Sequence, residues 1–446
     1  MGKLHGTDGA RGIAVDRFDP VLAGNIGRTA AAVLPKKKNR KPLLLVGWDS
    51  EEASAVTAEA AADGICSAGS DAELLGCVTA TAMAALVKKR QAAGGIMVTE
   101  AAGNKCGIRI YDSGGYKLSD DILEEIERLV FEAQDEVEEK LRPRTGELIQ
   151  CEDAVSEYLD IIRKAAAPDL TGMRIAYFCS SPDFTYMYVR FFTELGAEMI
   201  PLPDIPEDAQ PETPVTDTER LMEFTAASGC CCGLAFRGGG EKCLVVDENG
   251  KIVDADKLAA IFARSYKEKG LLDKDTVVIT ASANLGLHRF AEENGIKLVT
   301  AGVGERSVIG RMREGGYKLG GDKGGRIFFM DDLPSGDGLL TGARLMDILR
   351  ESGGTMSGLA SIMHRLPQVV ISVRIAPGFK EMWKNDSAIT CLIDDINTAL
   401  GRDGRVIVRE NPGEAAVSVL VEGEDFTEIN DIAMKIAEII KYRCSG

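Results

Sequence analysis

Two glycine-rich segments of the chain each carry acidic and basic side chains close together. Residues 236–242 read FRGGGEK and residues 320–326 read GGDKGGR. The first segment holds two basic side chains and one acidic side chain, a net charge of +1. Guanidinium and ammonium groups bind phosphate and carboxylate groups, so this loop can hold an anion without a bound metal ion. A solvated glycine loop without any ligand is an equally strong interpretation of the same residues.

The amino-acid composition limits the classes of partner that the protein can bind. The 446 residues include 52 Lys and Arg against 69 Asp and Glu, which gives a net charge of −17 at pH 7. Nucleic acid and anionic lipid attract positively charged proteins, so we expect neither nucleic acid nor a membrane as a partner. The three histidines leave few places for a histidine-based metal site. The eleven cysteines form no CxxC pair, and we expect a cytoplasmic protein with reduced thiols.

Alternating strand and helix patterns predict the elements that position these loops. Residues 43–47 and 276–280 are typical of buried strands, and residues 52–67 and 120–141 are typical of helices. The alternation predicts the α/β class, with a parallel sheet in the first 150 residues. We expect three similar mixed or parallel α/β domains and a small C-terminal α+β domain around a central cleft. The expected domains are residues 1–150, 151–252, 253–366 and 367–446.

Several segments together resemble one protein family. They include HGTDGARG at 5–12, SGGYKLSDDILEEIE at 113–127, SANLGLHRFAEENGIKLV at 282–299 and GDGLLTGARLMDILRESG at 336–353. Over essentially its whole length, the chain resembles the α-D-phosphohexomutases, and within them the bacterial phosphoglucosamine mutases. The resemblance implies the interconversion of a hexose 6-phosphate and a hexose 1-phosphate through a bisphosphorylated intermediate. It also implies a phosphoserine, one Mg²⁺ held by three aspartates, and one cleft loop from each of four domains.

The loop that resembles the family's phosphoserine loop lacks the nucleophile. The strand at residues 95–98 leads into TEAAGNK, and Ala101 falls at the phosphoserine position. A methyl group cannot carry a phosphoryl group. Thr99 is the nearest hydroxyl, but two strand residues displace it by about 6–7 Å, so it is a weak substitute and is expected to be an ordinary strand-end residue. Lys105 is the basic residue of this loop.

The loop that resembles the family's metal loop is also altered. Arg237, Gly239 and Glu241 fall at the three aspartate positions. A hard cation needs several oxygen ligands, and one carboxylate beside an arginine does not supply them. We therefore predict no cofactor, although the family uses Mg²⁺.

The remaining loops keep only part of the family pattern. The sugar-binding loop at 320–326 retains a carboxylate, and the phosphate-binding loop at 409–415 retains an arginine and a glutamate. The N-terminal support loop is intact, with Thr7, Asp8 and Arg11. The candidate sugar- or phosphate-binding residues are Lys242, Asp322, Lys323, Arg326, Arg409, Asn411, Gly413 and Glu414.

Three functional hypotheses remain open from the sequence. The first is a phosphohexomutase paralogue that has lost phosphoryl transfer. It would act by binding a sugar phosphate, by regulating another protein, or by forming a complex. That complex would be a homodimer, or a pair with an active mutase or another enzyme. The second is an active but divergent phosphoglucosamine mutase. The third is a new activity that uses an anion-binding set. That set is Lys105, Arg237, Lys242, Lys323 and Arg326. Its basic side chains either form a positive pocket or pair with nearby carboxylates and close the cleft.

Overall fold

The structure is a computed structural model that describes most of the chain. The described residues are 13–16, 19–34, 41–49, 52–101, 105–132, 145–204, 215–376, 382–411 and 415–444. The chain divides into two compact units. The first comprises Met1–Ala281 and Leu298–Ser361, and the second comprises Ser282–Lys297 and Ile362–Gly446. No helix in these ranges is long and apolar enough to cross a membrane.

The described residues up to 150 form one mixed sheet with helices. Its strands are β1 (Ile13–Asp16), β2 (Leu43–Trp48), β3 (Asp71–Cys77), β4 (Gly94–Ala101), β5 (Lys105–Asp112) and β6 (Leu148–Gln150). Its helices are α1 (Pro20–Val33), α2 (Glu52–Ser67), α3 (Ala80–Arg90) and α4 (Asp120–Phe131).

The sheet order is β1-β5-β4-β2-β3-β6. Strands β2, β3, β4 and β6 pair in parallel, as the sequence predicts, but β5 runs antiparallel to β1 and β4. The first sheet is therefore mixed, as the expected mixed or parallel α/β class allows, and the parallel pairing predicted for the first 150 residues does not extend to β5. Residues 102–104 are too short a connection for the crossover that parallel neighbours require.

A second mixed sheet follows in the same unit. Its strands are β7 (Arg174–Cys179), β8 (Glu198–Pro201), β9 (Cys232–Arg237), β10 (Lys242–Asp247) and β11 (Ile252–Val253). Its helices are α5 (Ala154–Ala165), α6 (Pro182–Glu194) and α7 (Asp217–Ser228). The order is β11-β10-β9-β7-β8. Strands β9 and β10 are antiparallel, and their register places Arg237 directly opposite Lys242 at the mouth of the glycine loop.

Residues 255–360 supply the third sheet and its helices. The strands are β12 (Thr276–Thr280), β13 (Lys297–Ala301), β14 (Leu319–Gly321) and β15 (Ile327–Phe329). The helices are α8 (Ala255–Glu268), α9 (Leu285–Glu293), α10 (Glu305–Gly315), α11 (Gly338–Ser352) and α12 (Met356–Ala360), and a 3₁₀ turn covers Asp273–Asp275. Helix α9 belongs to the second unit. Strands β14 and β15 pair antiparallel, and the loop that joins them contains Asp322 and Lys323.

The second unit is built on an antiparallel sheet of order β16-β18-β17. The elements are β16 (Gln368–Arg374), α13 (Met382–Asn385), α14 (Ser387–Leu400), β17 (Gly404–Glu410), β18 (Ala416–Gly423) and α15 (Phe426–Arg443). Val417, Val419 and Val421 alternate along β18 and pack with Ile429 and Ile436 of α15 in one core. The α+β pattern expected for the C-terminal residues is thus present. The four-domain division stays a prediction.

Candidate functional site

The segment that resembles the family's phosphoserine loop ends a strand. Ala101 is the last residue of β4, and the antiparallel register pairs it with Lys105, the first residue of β5. The Thr99 hydroxyl donates a hydrogen bond to the Gly107 carbonyl at 3.4 Å. Thr99 therefore has the geometry of a strand residue bonded across the ladder. Residues 102–104 lie outside the described residues.

Three consecutive glycines shape the loop that resembles the family's metal loop. Gly238, Gly239 and Gly240 have φ values of 65°, 67° and 89°. This left-handed region favours glycine, because other side chains clash with the backbone there. A Cβ atom on Gly240 would also lie 3.0 Å from the Thr81 hydroxyl. The Gly239 carbonyl accepts a hydrogen bond from the Ala80 amide at 3.1 Å, so the loop is fixed against the start of α3.

Glu241, which follows these glycines, is surrounded by basic side chains. Its side chain is 6% exposed. Lys117 Nζ donates to Glu241 Oε1 at 2.9 Å, and Arg326 donates to Oε2 through Nε at 3.1 Å and Nη2 at 3.0 Å. Arg109 Nη1 lies 3.6 Å from Oε1. Both carboxylate oxygens of Glu241 are therefore occupied by cations of the protein itself.

The network extends to two further carboxylates. Lys117 also donates to Glu305 at the start of α10, and Arg326 Nη1 donates to Asp322 Oδ2 at 2.9 Å. Burial alone would raise the pKa of Glu241, but the charges of Lys117, Arg326 and Arg109 lower this pKa to about 2. Burial would lower the pKa of Lys117, yet Glu241 and Glu305 raise it above its ordinary value. Glu241 and Lys117 therefore both stay charged at neutral pH.

The residues present do not fit the family's Mg²⁺. Magnesium requires near-octahedral oxygen ligation, usually with carboxylates. Glu241 forms ion pairs with three cationic side chains, and the Arg237 guanidinium donates to the Thr218 hydroxyl at 2.8 Å. Gly239 offers no side chain, and its φ value opposes the introduction of one. Within the described residues, no group of three or more His, Cys, Asp or Glu could hold a metal ion.

A separate cavity lies beside this network. It has a volume of about 330 Å³, and Arg237, Lys242 and Lys323 line it together with Asp254. Three basic side chains thus face one acidic side chain. Asp254 also caps α8 by accepting a hydrogen bond from the Lys257 amide at 3.0 Å. Of the expected anion-binding set, the structure brings these three basic residues together and pairs Arg326 with Glu241 and Asp322 instead.

The phosphate-loop candidates lie in the second unit. Arg409 is opposite Ser418 in the β17–β18 ladder, and its Nη1 is buried without a hydrogen-bond partner among the described residues. The Asn411 side chain donates to the Ser372 hydroxyl at 3.1 Å and accepts from the Ser418 hydroxyl at 2.5 Å. The remaining candidates lie outside the described residues. They are Thr7, Asp8, Arg11, Gly413 and Glu414.

Sequence reasoning missed three members of the network. Lys117 lies within the segment 113–127 that carries the family resemblance, so that segment was a usable signal. Arg109 is a strand residue of β5, and Glu305 begins α10. Nothing in the spacing of these residues along the sequence relates them to Glu241.

Comparisons with known proteins place the chain in a family. A model described as phosphoglucomutase/phosphomannomutase, alpha/beta/alpha domain I, matches residues 2–137, and the corresponding domain III model matches residues 254–366. A phosphoglucosamine mutase of Clostridium acetobutylicum is 36% identical over 450 residues, covering 100% of both chains. A phosphoglucosamine mutase of Clostridium novyi is 34% identical over 451 residues, with the same coverage.

A solved structure has the same fold over nearly the whole chain. A phosphoglucomutase/phosphomannomutase family protein from Burkholderia thailandensis aligns with a TM-score of 0.79 and 19% identity, covering 98% of each chain. The sequence resemblance, the two domain models and the full-length relatives agree. The chain belongs to the phosphoglucomutase/phosphomannomutase family of α-D-phosphohexomutases.

Proposed function

We propose that this chain is a phosphohexomutase-family protein that does not transfer phosphoryl groups and acts by binding a sugar phosphate. The observation that carries the proposal is the environment of Glu241. At the position where the family holds its metal, Lys117, Arg326 and Arg109 surround the one remaining carboxylate. These basic side chains repel Mg²⁺ from the site. Because they are paired with Glu241, they also do not replace a bound metal ion that neutralises the transferred phosphate.

The nucleophile position supports the same proposal. Phosphoryl transfer in this family requires an oxygen nucleophile in line with the phosphate and a cation that neutralises developing charge. Ala101 supplies no oxygen. Thr99 bonds to the Gly107 carbonyl and lies two strand residues away, and in-line displacement does not tolerate such an offset.

The cavity lined by Arg237, Lys242 and Lys323 supports a binding role. Arg237 and Lys242 are direct cross-strand partners, and like charges in that position repel each other. A bound phosphate would remove this repulsion and accept hydrogen bonds from both side chains. A volume of about 330 Å³ suits a monosaccharide phosphate.

One observation favours the alternative, an active but divergent phosphoglucosamine mutase. Relatives that carry this name match the chain from end to end at 34–36% identity. The alternative requires a nucleophile other than residue 101 and a metal site other than the loop at 237–241.

A paired experiment separates the two proposals. Purified protein is incubated with glucosamine 1-phosphate or 6-phosphate and Mg²⁺, and product formation and intact mass are followed. We expect no turnover and no phosphorylated form. Turnover that persists after removal of host mutase would establish the alternative.

Binding is measured separately by isothermal titration with glucosamine 6-phosphate, a nucleotide sugar and inorganic phosphate. We expect saturable binding of a sugar phosphate that weakens with added salt and with Arg237→Ala. The control is Arg264→Ala, because Arg264 is an exposed arginine of α8 that pairs with Glu268 on the same helix. Absence of heat with every ligand would refute the binding role.

A further inference from the structure

A second cavity is lined by Lys117 and Glu305 of the charge network, and the proposed function does not use it. It has a volume of about 390 Å³ and lies between the segment 111–122 and helix α10. Ile122 and Ile309 give it apolar walls, and the Tyr116 ring adds an aromatic one. The Arg313 guanidinium stacks on that ring, 4.3 Å from its centroid.

Three polar side chains in the wall of this cavity have atoms without a partner. Tyr111 Oη, Ser335 Oγ and Arg306 Nε are buried, and none has a hydrogen-bond partner in the part of the chain that the structure describes. Tyr111 is 1% exposed and Ser335 is 8% exposed. Buried polar groups are nearly always satisfied, so three exceptions around one cavity require an explanation. Each of the three groups can donate a hydrogen bond.

The charged side chains around the cavity indicate the sign of the charge that its ligand carries. Lys117 is neutralised by Glu241 and Glu305, and Arg306 pairs with Asp120. The remaining basic group is Arg313, whose long side chain reaches the cavity across Tyr116.

The remaining acidic group of the wall has its own partners. Asp112 accepts hydrogen bonds from the Gly114 and Tyr116 amides at 2.8 and 3.0 Å. Asp112 is thus satisfied by backbone amides, and Arg313 is the basic group of the wall that forms no ion pair among the described residues.

We propose that this cavity binds a small amphipathic monoanion, an apolar ring or short chain that carries one carboxylate. The apolar part packs against Tyr116, Ile122 and Ile309, and the carboxylate accepts hydrogen bonds from the unpartnered donors. The three donor atoms are buried, so binding includes a small rotation, such as that of Ser335 about its Cα–Cβ bond. A phosphate monoester fits less well, because two negative charges would face one uncompensated cation.

Gly310 allows the cavity to be filled without disturbing the fold. It lies in α10 and lines the cavity, and a Cβ atom built on it would meet nothing within 4 Å. Its φ is not in the left-handed region. Gly310→Phe should therefore occupy the cavity and leave the melting temperature equal or higher, since glycine weakens a helix interior.

The test uses benzoate as the probe and benzyl alcohol as its neutral counterpart. Binding of each to the full chain is measured by isothermal titration and ligand-observed NMR. We expect saturable binding of benzoate, at least tenfold weaker binding of benzyl alcohol, and loss of benzoate binding in Gly310→Phe. Gly310→Ala, which adds one methyl group, should retain binding.

Removal of one hydroxyl tests the polar contacts independently of the filled cavity. Tyr111→Phe should weaken benzoate binding about fivefold, because the loss of one hydrogen bond typically lowers affinity by about this factor. Tyr186→Phe is the matched control, because Tyr186 is 72% exposed on α6, and it should leave binding unchanged.

Three results would overturn the proposal. They are no saturable binding of either probe, equal binding of the two probes, and benzoate binding that is unchanged in both Gly310→Phe and Tyr111→Phe. Sugar-phosphate binding by the separate cavity at Arg237 is measured in the same variants, so a failure of one site is distinguishable from a failure of the other.

Discussion

Replacement of Glu241 by glutamine tests the charge network directly. The substitution keeps the shape of the side chain and removes its negative charge. Lys117, Arg326 and Arg109 would then face one another with less compensation in a buried site, where unpaired charges are costly. We expect a large loss of stability in the first unit.

The magnitude follows from the pKa of Glu241. A glutamate in an unfolded chain has a pKa of about 4.3. In the folded protein this pKa is lowered to about 2, and the side chain is only 6% exposed, so solvent screening is small. Since each tenfold change in proton affinity is worth about 1.4 kcal/mol, the charge contributes about 3 kcal/mol at pH 7.

The sign of the pH dependence is fixed by the lowered pKa. The stabilisation is complete above the unfolded pKa of about 4.3 and is lost as pH falls through the folded pKa of about 2. The difference in unfolding free energy between wild type and Glu241→Gln should therefore fall to about half between pH 7 and pH 3.

The two tryptophans allow the first unit to be observed alone. Trp48 packs against the core of the first sheet, and Trp383 lies in the second unit. In a Trp383→Phe background, Trp48 fluorescence during urea unfolding reports the first unit. The matched control is Glu268→Gln, because Glu268 is 63% exposed and pairs with Arg264 one helical turn away. Such surface pairs contribute about 0.5 kcal/mol or less.

One outcome would contradict this reasoning. If Glu241→Gln costs less than about 1 kcal/mol, or no more than Glu268→Gln, the cations around Glu241 do not stabilise its charge. A difference between variant and wild type that is independent of pH would contradict the assigned pKa.

Three further outcomes are expected. Burial raises the pKa of Asp337 to about 6, so the stability that its protonated form contributes is complete below the unfolded pKa of about 3.9 and is lost as pH rises through 6. Relative to wild type, Asp337→Asn should therefore become more stable by about 2 kcal/mol between pH 4 and pH 7, measured by urea unfolding. Mg²⁺ should raise the melting temperature no more than NaCl of matched ionic strength, and a saturable shift would reveal a specific site. Ala101→Ser should yield neither mutase turnover nor a phosphorylated mass, because the metal ligands remain absent, and a stable phosphoprotein would show that the loop still functions.

The sequence alone predicted the local elements and showed which side chains the candidate loops carry. The helix over 52–67 and the strand over 276–280 agree with the structure to the residue, because their apolar patterns and flanking residues are local signals. That Ala101, Arg237 and Gly239 carry no side-chain oxygen is likewise visible without coordinates, since a missing oxygen is missing in any fold. The family resemblance supplied the significance of those positions.

Only the tertiary structure decided which charges meet. Lys117 and Arg326 lie 124 and 85 residues from Glu241 along the chain, and no local pattern encodes such distances. From the sequence, Arg326 was equally suited to a positive pocket and to an ion pair. The β14–β15 turn places it between Asp322 and Glu241, while Arg237, opposite Lys242 at the ends of β9 and β10, lines a different cavity. The local sequence thus determines which charges each loop carries, and long-range packing determines their partners, because electrostatic energies depend on distance and burial in the folded chain.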